Sequence, residues 1–180
     1  MRIVGGEFKG RRVSVPSNFP SRPTTDYAKE GLFNVLENQI ELENLNVLDL
    51  CSGTGNIALE FISRGASFIT CVDTHTNCLK FVQKNAATMG AEKRIRTMKL
   101  DILTFLQRNK TEFDLVFADP PYDYKNYETL IQLALENKVV VKDGFFVLEH
   151  SKQKDFSMQP CFQFFRNYGN VSFSFFKRGI

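Results

Sequence analysis

From Asn46 onward the sequence alternates between short runs that are apolar almost throughout and segments that are apolar on one face only. This rhythm restricts the fold more than any other feature. Val47-Leu48-Asp49-Leu50, Phe68 to Val72, Ile95 to Leu100, Phe113 to Ala118 and Gly144 to Glu149 read as strands, while Ile57 to Ser63, Thr76 to Met89, Ile102 to Gln107 and Tyr127 to Asn137 read as the helices between them. A strand buried on both faces has no polar side to alternate with. Runs of this kind therefore belong to a mostly parallel sheet with helices on both faces, an α/β architecture of Rossmann-like type. The tail breaks the rhythm. Phe162 to Phe165 and Val171 to Phe176 flank the turn cluster Asn167-Tyr168-Gly169-Asn170, which predicts an antiparallel C-terminal hairpin and brings the sheet to seven strands.

The first 45 residues are organised differently. Ile3-Val4 and Val13-Ser14-Val15 flank Gly5-Gly6 and Lys9-Gly10-Arg11-Arg12, the pattern of a small N-terminal β-hairpin arm, and Pro16, Pro20 and Pro23 stiffen the linker that follows. Thr24-Thr25-Asp26 can cap a helix whose apolar face is Ala28, Leu32, Phe33, Val35 and Leu36. The expected division is an arm and linker over residues 1–21 and one α/β domain over residues 22–180. Charge follows a similar division. Arg2, Lys9, Arg11, Arg12 and Arg22 face only Glu7 within residues 1–25, and Lys152, Lys154, Arg166, Lys177 and Arg178 face only Asp155 within residues 151–180. The stretch between is acidic, so the net charge is only +3. Basic ends on an acidic body suit a phosphate-binding rim, with Arg2, Lys9, Arg11 and Arg12 as its densest part.

Composition removes several classes. With 43% hydrophobic and 24% charged residues the chain can build a core and is not disordered. No apolar run approaches the roughly 20 residues of a transmembrane helix, and Met1 to Glu7 has no signal-type apolar stretch. Four cysteines without C-x-x-C spacing and two histidines give no metal-ligand pattern, so reduced thiols, no metal and a cytoplasmic location are expected. The phenylalanines of the tail are expected to pack into the sheet rather than stack on a ligand.

The loop Asp49-Leu50-Cys51-Ser52-Gly53-Thr54-Gly55 joins the first strand to its helix. Glycines there let a ligand approach the backbone, and the helix N-terminus offers free N–H groups. Gly53-x-Gly55-x-x-Ala58, with Asp73 ending the second strand, also fits a loose dinucleotide fingerprint. Asp49, four residues before the first glycine, favours a different ligand. A carboxylate beside the loop suits a cationic amino-acid group better than a pyrophosphate, and S-adenosyl-L-methionine carries such a group and no phosphate. Asp73 would then take both ribose hydroxyls, and Asp101, followed by Ile102 at the end of the third strand, would accept from the adenine amine. Any one of these acids could be a helix cap. Three acids ending successive strands face one crevice.

Asp119-Pro120-Pro121-Tyr122 follows the apolar fourth strand at the same crevice. Its prolines remove two backbone donors, Asp119 adds an acceptor and Tyr122 an aromatic face. The exocyclic amine of a nucleobase needs this set. Its lone pair is delocalised into the ring until acceptors hold its hydrogens, and the base must be stacked once it is unpaired or flipped out. These four residues are the catalytic candidates.

With those residues in place the chain resembles class I S-adenosylmethionine-dependent methyltransferases of the amino-methylating group. More closely it is similar to the bacterial 16S ribosomal RNA guanine-N2 methyltransferase family of RsmD type. The similarity rests on Arg2-Ile3-Val4-Gly5-Gly6, Lys9-Gly10-Arg11-Arg12, Arg22-Pro23-Thr24-Thr25-Asp26, Lys29-Glu30-x-Leu32-Phe33-Asn34, Asp49 to Gly55, Ser63-Arg64-Gly65-Ala66 and Asp114 to Tyr122. It implies methylation of a guanine N2 amine in small-subunit rRNA, on an assembling or assembled 30S particle, by a monomer. It also implies that Arg22, Thr24 and Thr25 belong to the cofactor pocket and that the arm binds RNA. The chain departs from the family pattern at Cys51-Ser52, in place of Phe-Ala, and at Asp73, in place of Glu. Asp119, where adenine-N6 DNA enzymes more often carry Asn, leans toward guanine. The competing readings are an adenine-N6 methyltransferase acting on DNA or RNA, a protein glutamine methyltransferase and an RNA-binding domain without catalysis. An NAD enzyme would leave Asp119 to Tyr122 without a role.

Overall fold

In the computed structural model, which describes residues 1–21 and 23–179, the apolar runs form one seven-stranded sheet. Strands β1 (Asn46–Leu50), β2 (Phe68–Asp73), β3 (Ile95–Lys99), β4 (Phe113–Ala118) and β5 (Val140–Ser151) are parallel. β6 (Phe162–Tyr168) and β7 (Val171–Lys177) close the sheet antiparallel, in the order 3-2-1-4-5-7-6. β1 pairs with β2 on one side and β4 on the other, so the chain reverses its direction of winding there. β1 and β4 stay paired to their last residues, Leu50 and Ala118, and the loops that follow them lead to opposite faces of the sheet, the place where open α/β sheets bind ligands.

Helices cover both faces. α1 (Asp26–Glu37), α2 (Asn56–Ser63) and α3 (Thr76–Thr88) pack into one apolar cluster, and α4 (Ile102–Arg108) and α5 (Tyr127–Glu136) into the other. α1 starts where Thr25 accepts a hydrogen bond from the Ala28 N–H (3.2 Å), and it buries Ala28, Leu32, Phe33 and Leu36 at helical spacing. Phe33 meets Phe61 of α2 edge-on at 4.7 Å, both rings fully buried, which fixes the two helices on each other. The tail phenylalanines Phe173, Phe175 and Phe176 are fully buried, as expected of sheet packing.

Most boundaries fall within a residue or two of the sequence reading, and two move further. β5 begins at Val140, four residues before Gly144. Val140 opposes Phe113 and Phe145 opposes Leu115, so the residues between bulge out. Gly144 sits in that bulge, where a Cβ would lie 2.7 Å from the Asp114 carbonyl oxygen. It marks a close backbone approach and not a strand end. β6 runs on through Asn167 and Tyr168, leaving Gly169-Asn170 as the turn.

The N-terminal hairpin closes by a single bridge, Arg2 to Arg12, and folds down onto α2. Ile3 and Val13 join the core, while the Val4 and Gly5 N–H groups donate to Glu60 (2.9 and 2.7 Å). Glu60 and Lys29, both 0% exposed, form an ion pair at 3.2 Å. Lys29 Nζ also donates to the Arg2 carbonyl (2.6 Å) and to Asn56 Oδ1 (2.7 Å), and Arg64 Nε donates to Glu60 Oε1 (2.9 Å). A buried pair of charges is tolerable only when its remaining hydrogen-bonding capacity is used in this way. Among the described residues no helix is long and apolar enough to cross a membrane.

Candidate active site

The crevice holds a cavity of about 530 Å³, inside the range of small-molecule sites. Its floor is the loop from β1 into α2. Cys51 there has φ 60, a left-handed backbone that a non-glycine residue adopts at a cost of about 1–3 kcal/mol. The thiol is inert, since burial pushes it well above its ordinary pKa and the carboxylates of Asp119 and Asp73 push it further. Gly53 faces the cavity, and its N–H donates to Asp73 Oδ2 (2.9 Å). Gly55 is absent from the wall. It caps α2 at φ 71, and a Cβ there would meet Val82 of α3 at 2.7 Å, so this glycine serves the packing of the two helices.

The acids at the strand ends are drawn together as their positions predict, each in a different state. Asp49 is buried, and its Oδ2 has no hydrogen-bond partner. Burial raises its pKa well above the carboxylate range, Asp119 and Asp73 raise it further, and the Ala58 N–H opposes them. Asp73 accepts from Gly53 with one oxygen and from the His75 N–H with the other (2.8 Å), which orients it and leaves a lone pair on each oxygen. Asp101 caps α4 through Oδ1, accepting from Leu103 and Thr104 (3.0 and 3.1 Å); it and Ile102 still line the cavity.

Asp119, Pro120, Pro121 and Tyr122 line the opposite wall. Desolvation pushes the Asp119 carboxyl up to about 7. The Tyr124 N–H takes the Pro121 carbonyl (2.9 Å), and among the described residues no backbone donor takes that of Pro120. The Tyr122 ring is 77% exposed at the mouth. Thr24 lines the cavity as well. Thr25 does not, its hydroxyl being the cap of α1, and Arg22 lies outside the described residues. On the arm, Arg2 pairs with Asp26 (3.0 Å) and Arg11 donates to the Thr88 carbonyl at the end of α3 (2.6 Å), while Lys9 and Arg12 are exposed.

Sequence reasoning missed three groups. Glu149 of β5 is buried and accepts from the Thr24 hydroxyl (2.9 Å), and burial together with Asp119 raises its pKa. Asn56 links Lys29 to the Thr24 carbonyl (2.8 Å). A polar chain thus runs from Glu60 through Lys29, Asn56 and Thr24 to Glu149, holding the linker over the site. The signal for Glu149 was present: an acid inside an apolar strand, as at Asp49. Tyr124 is the third, its buried hydroxyl without a partner at the cavity wall.

Four aspartates line this cavity, and among its described residues there is no lysine or arginine. Such a site opposes a pyrophosphate and favours a cation. The unpartnered Asp49 oxygen is a ready acceptor for an ammonium, so the residues present fit the amino-acid end of S-adenosylmethionine.

The sheet order, the antiparallel final hairpin and this cavity define a class I methyltransferase fold. The ribosomal protein L11 methylase of Lactobacillus delbrueckii shares it at a TM-score of 0.66 and 18% identity, covering 85% of this chain and 80% of that one. The Escherichia coli protein yhhF is nearer, with a TM-score of 0.88 and 26% identity over 100% of this chain and 98% of that one. In sequence, the ribosomal RNA small subunit methyltransferase D of Escherichia coli is 31% identical over 161 residues, 89% of this chain and 80% of that one. The family model described as "Conserved hypothetical protein 95" matches residues 1–177, and the chain belongs to this family of RsmD-type methyltransferases.

Proposed function

We propose that this chain methylates the exocyclic N2 amine of a guanine in small-subunit (16S) ribosomal RNA, with S-adenosyl-L-methionine as the methyl donor. The observation that carries the reading is one cavity holding both an unpartnered buried carboxylate at the glycine loop and the Asp119-Pro120-Pro121-Tyr122 turn. Bound there, S-adenosylmethionine supplies an electrophilic methyl group. Asp49 holds its ammonium, the free lone pairs of Asp73 take the ribose hydroxyls, and Asp101 with Ile102 receives the adenine.

On the opposite wall the Asp119 carboxylate and the Pro120 carbonyl accept the two N–H bonds of the guanine amine, which turns its lone pair out of the ring and toward the methyl. Tyr122 stacks on the base. The amine would gain the methyl as its bond to the sulfonium breaks, leaving a neutral thioether, and would lose one proton, to Asp119 or to water. The ionised carboxylate is the stronger acceptor and the only form that can take the proton, so Asp119 works above its pKa. The basic arm and the substrate named for the Escherichia coli relative support RNA as the partner, with the 30S particle as its setting, the cytoplasm as its compartment and a monomer as the working unit. The test is transfer of labelled methyl from S-adenosylmethionine to unmethylated 16S rRNA, bare and in 30S particles, followed by nucleoside analysis. N2-methylguanosine is expected. N6-methyladenosine would keep the site and replace the substrate, and unlabelled RNA would overturn the reading.

A further inference from the structure

Beside the catalytic cavity lies a second concavity, of about 340 Å³, which the reaction above does not use. One bank is the linker, with Asn18 and Phe19 between Pro16 and Pro20. The other is the outer face of α3, with Asn77, Lys80, Phe81 and Lys84. Positions 77, 80, 81 and 84 recur at three and four residues, so they share one face of the helix. Pro20 belongs to the walls of both cavities, so the groove adjoins the first cavity.

Its floor and rim differ in chemistry. On the floor the rings of Phe19 and Phe81 pack at 4.9 Å, pinning the linker to the helix beside two prolines. On the rim Lys80 and Lys84 are exposed, and α3 has no acid anywhere in its thirteen residues to neutralise them. The face also leads from the arm to the site. Arg11 is fixed to the Thr88 carbonyl at the C-terminal end of α3, and His75 at its other end lines the catalytic cavity. Thirteen helical residues span roughly 20 Å, marked by lysines one turn apart.

An apolar aromatic floor alone suits many ligands, and a lysine pair alone suits any polyanion. Together in one groove they suit a nucleotide, which has a π-face and a phosphate on each side. We infer that this groove binds an unpaired nucleotide of the substrate RNA next to the methylated guanine, its base against Phe19 and Phe81 and its phosphates on Lys80 and Lys84. The inference rests on the RNA reading of the active site. Asn18 and Asn77 present amides to the base edge.

The test compares the full chain with the double variants Lys80→Ala/Lys84→Ala and Lys80→Arg/Lys84→Arg, using unmethylated 16S rRNA as the probe. The alanine pair should leave S-adenosylmethionine affinity unchanged. It should weaken RNA binding roughly tenfold near 0.15 M salt and reduce the log–log salt slope by about 1.4, the value for two phosphate contacts to a single strand. KM for RNA should rise more than kcat falls, and the arginine pair should restore binding. Phe19→Leu should weaken RNA binding while leaving the salt slope intact, since it removes stacking and no charge. If the parent methylates the RNA while the alanine pair keeps its slope and KM, the groove is overturned and the active-site reading stands. A parent that methylates no RNA overturns both.

Discussion

Asp119 has two properties that belong together: it is placed to accept hydrogen bonds from an amine, and desolvation holds its carboxyl near pKa 7. At neutral pH a fraction of the free enzyme is therefore protonated, a weaker acceptor and unable to take a proton. kcat/KM should rise with pH through about 7 and then level off, while kcat, measured with the cationic cofactor bound, should level off at lower pH. A profile flat from pH 5.5 to 8.5 would remove Asp119 from the mechanism. Asp119→Ala should leave cofactor affinity nearly unchanged and lower turnover by more than tenfold in single-turnover assays.

Asp49 gives the complementary case. Its carboxyl is raised in the folded chain, so between its unfolded and folded pKa values the native state holds a proton that the unfolded chain releases, and stability declines as pH rises through that window. Asp49→Asn should therefore raise the melting temperature of the ligand-free protein at pH 8 more than at pH 5. The same change should abolish the stabilisation that S-adenosylmethionine confers on the parent. A variant less stable at pH 8 would show that the carboxylate is not held against its preference.

At the scale of elements, the pair Lys29–Glu60 ties α1 to α2 and both to the N-terminal hairpin. Removing one partner strands a buried charge, and Glu60→Gln should cost about 3–5 kcal/mol, read from denaturant unfolding. Lys29→Met in that background should recover part of the loss. Gly55→Ala should destabilise the α2–α3 packing and lower Tm, because Val82 occupies the space a Cβ needs.

The strands, the mostly parallel sheet with its antiparallel final hairpin and the acids at the strand ends were legible in the sequence, because apolar runs of strand length leave little choice of layer; the strand order was not. What escaped was set by contacts across the chain. The fingerprint reading of Gly55 missed its role because Val82 is twenty-seven positions away. Asp101 could be read as cap or ligand, and the helix takes one of its oxygens. An acid inside an apolar strand marks Glu149, but its pairing with Thr24, 125 residues earlier, shows in no local pattern. Gly144 looked like a strand start because the bulge that needs it depends on pairing with β4.

Over the whole molecule, charge is separated: acids line the cavity, and uncompensated cations lie on the arm. On the proposed function, a polyanionic substrate would be drawn to the rim while the crevice took a cation, so the two ligands would not compete for one field. Replacing Arg11 and Arg12 by Ala should weaken RNA binding and flatten its salt dependence without changing cofactor affinity. An unaltered slope would mean that the arm does not touch phosphate.

The polar chain from Glu60 to Glu149 also bears on how the molecule is made. Glu60, the anchor of the N-terminal loop, follows it by more than fifty residues, and Glu149, which fixes Thr24, follows Thr24 by 125. α1 also touches the final hairpin, where the Tyr27 and Tyr168 rings lie 5.7 Å apart. A nascent chain halted before β5 carries the glycine loop and its acids without a fixed linker above them. The candidate pocket is thus completed only by the later strands, and fragments lacking β5 to β7 should bind S-adenosylmethionine poorly although they contain Asp49, Asp73 and Asp101.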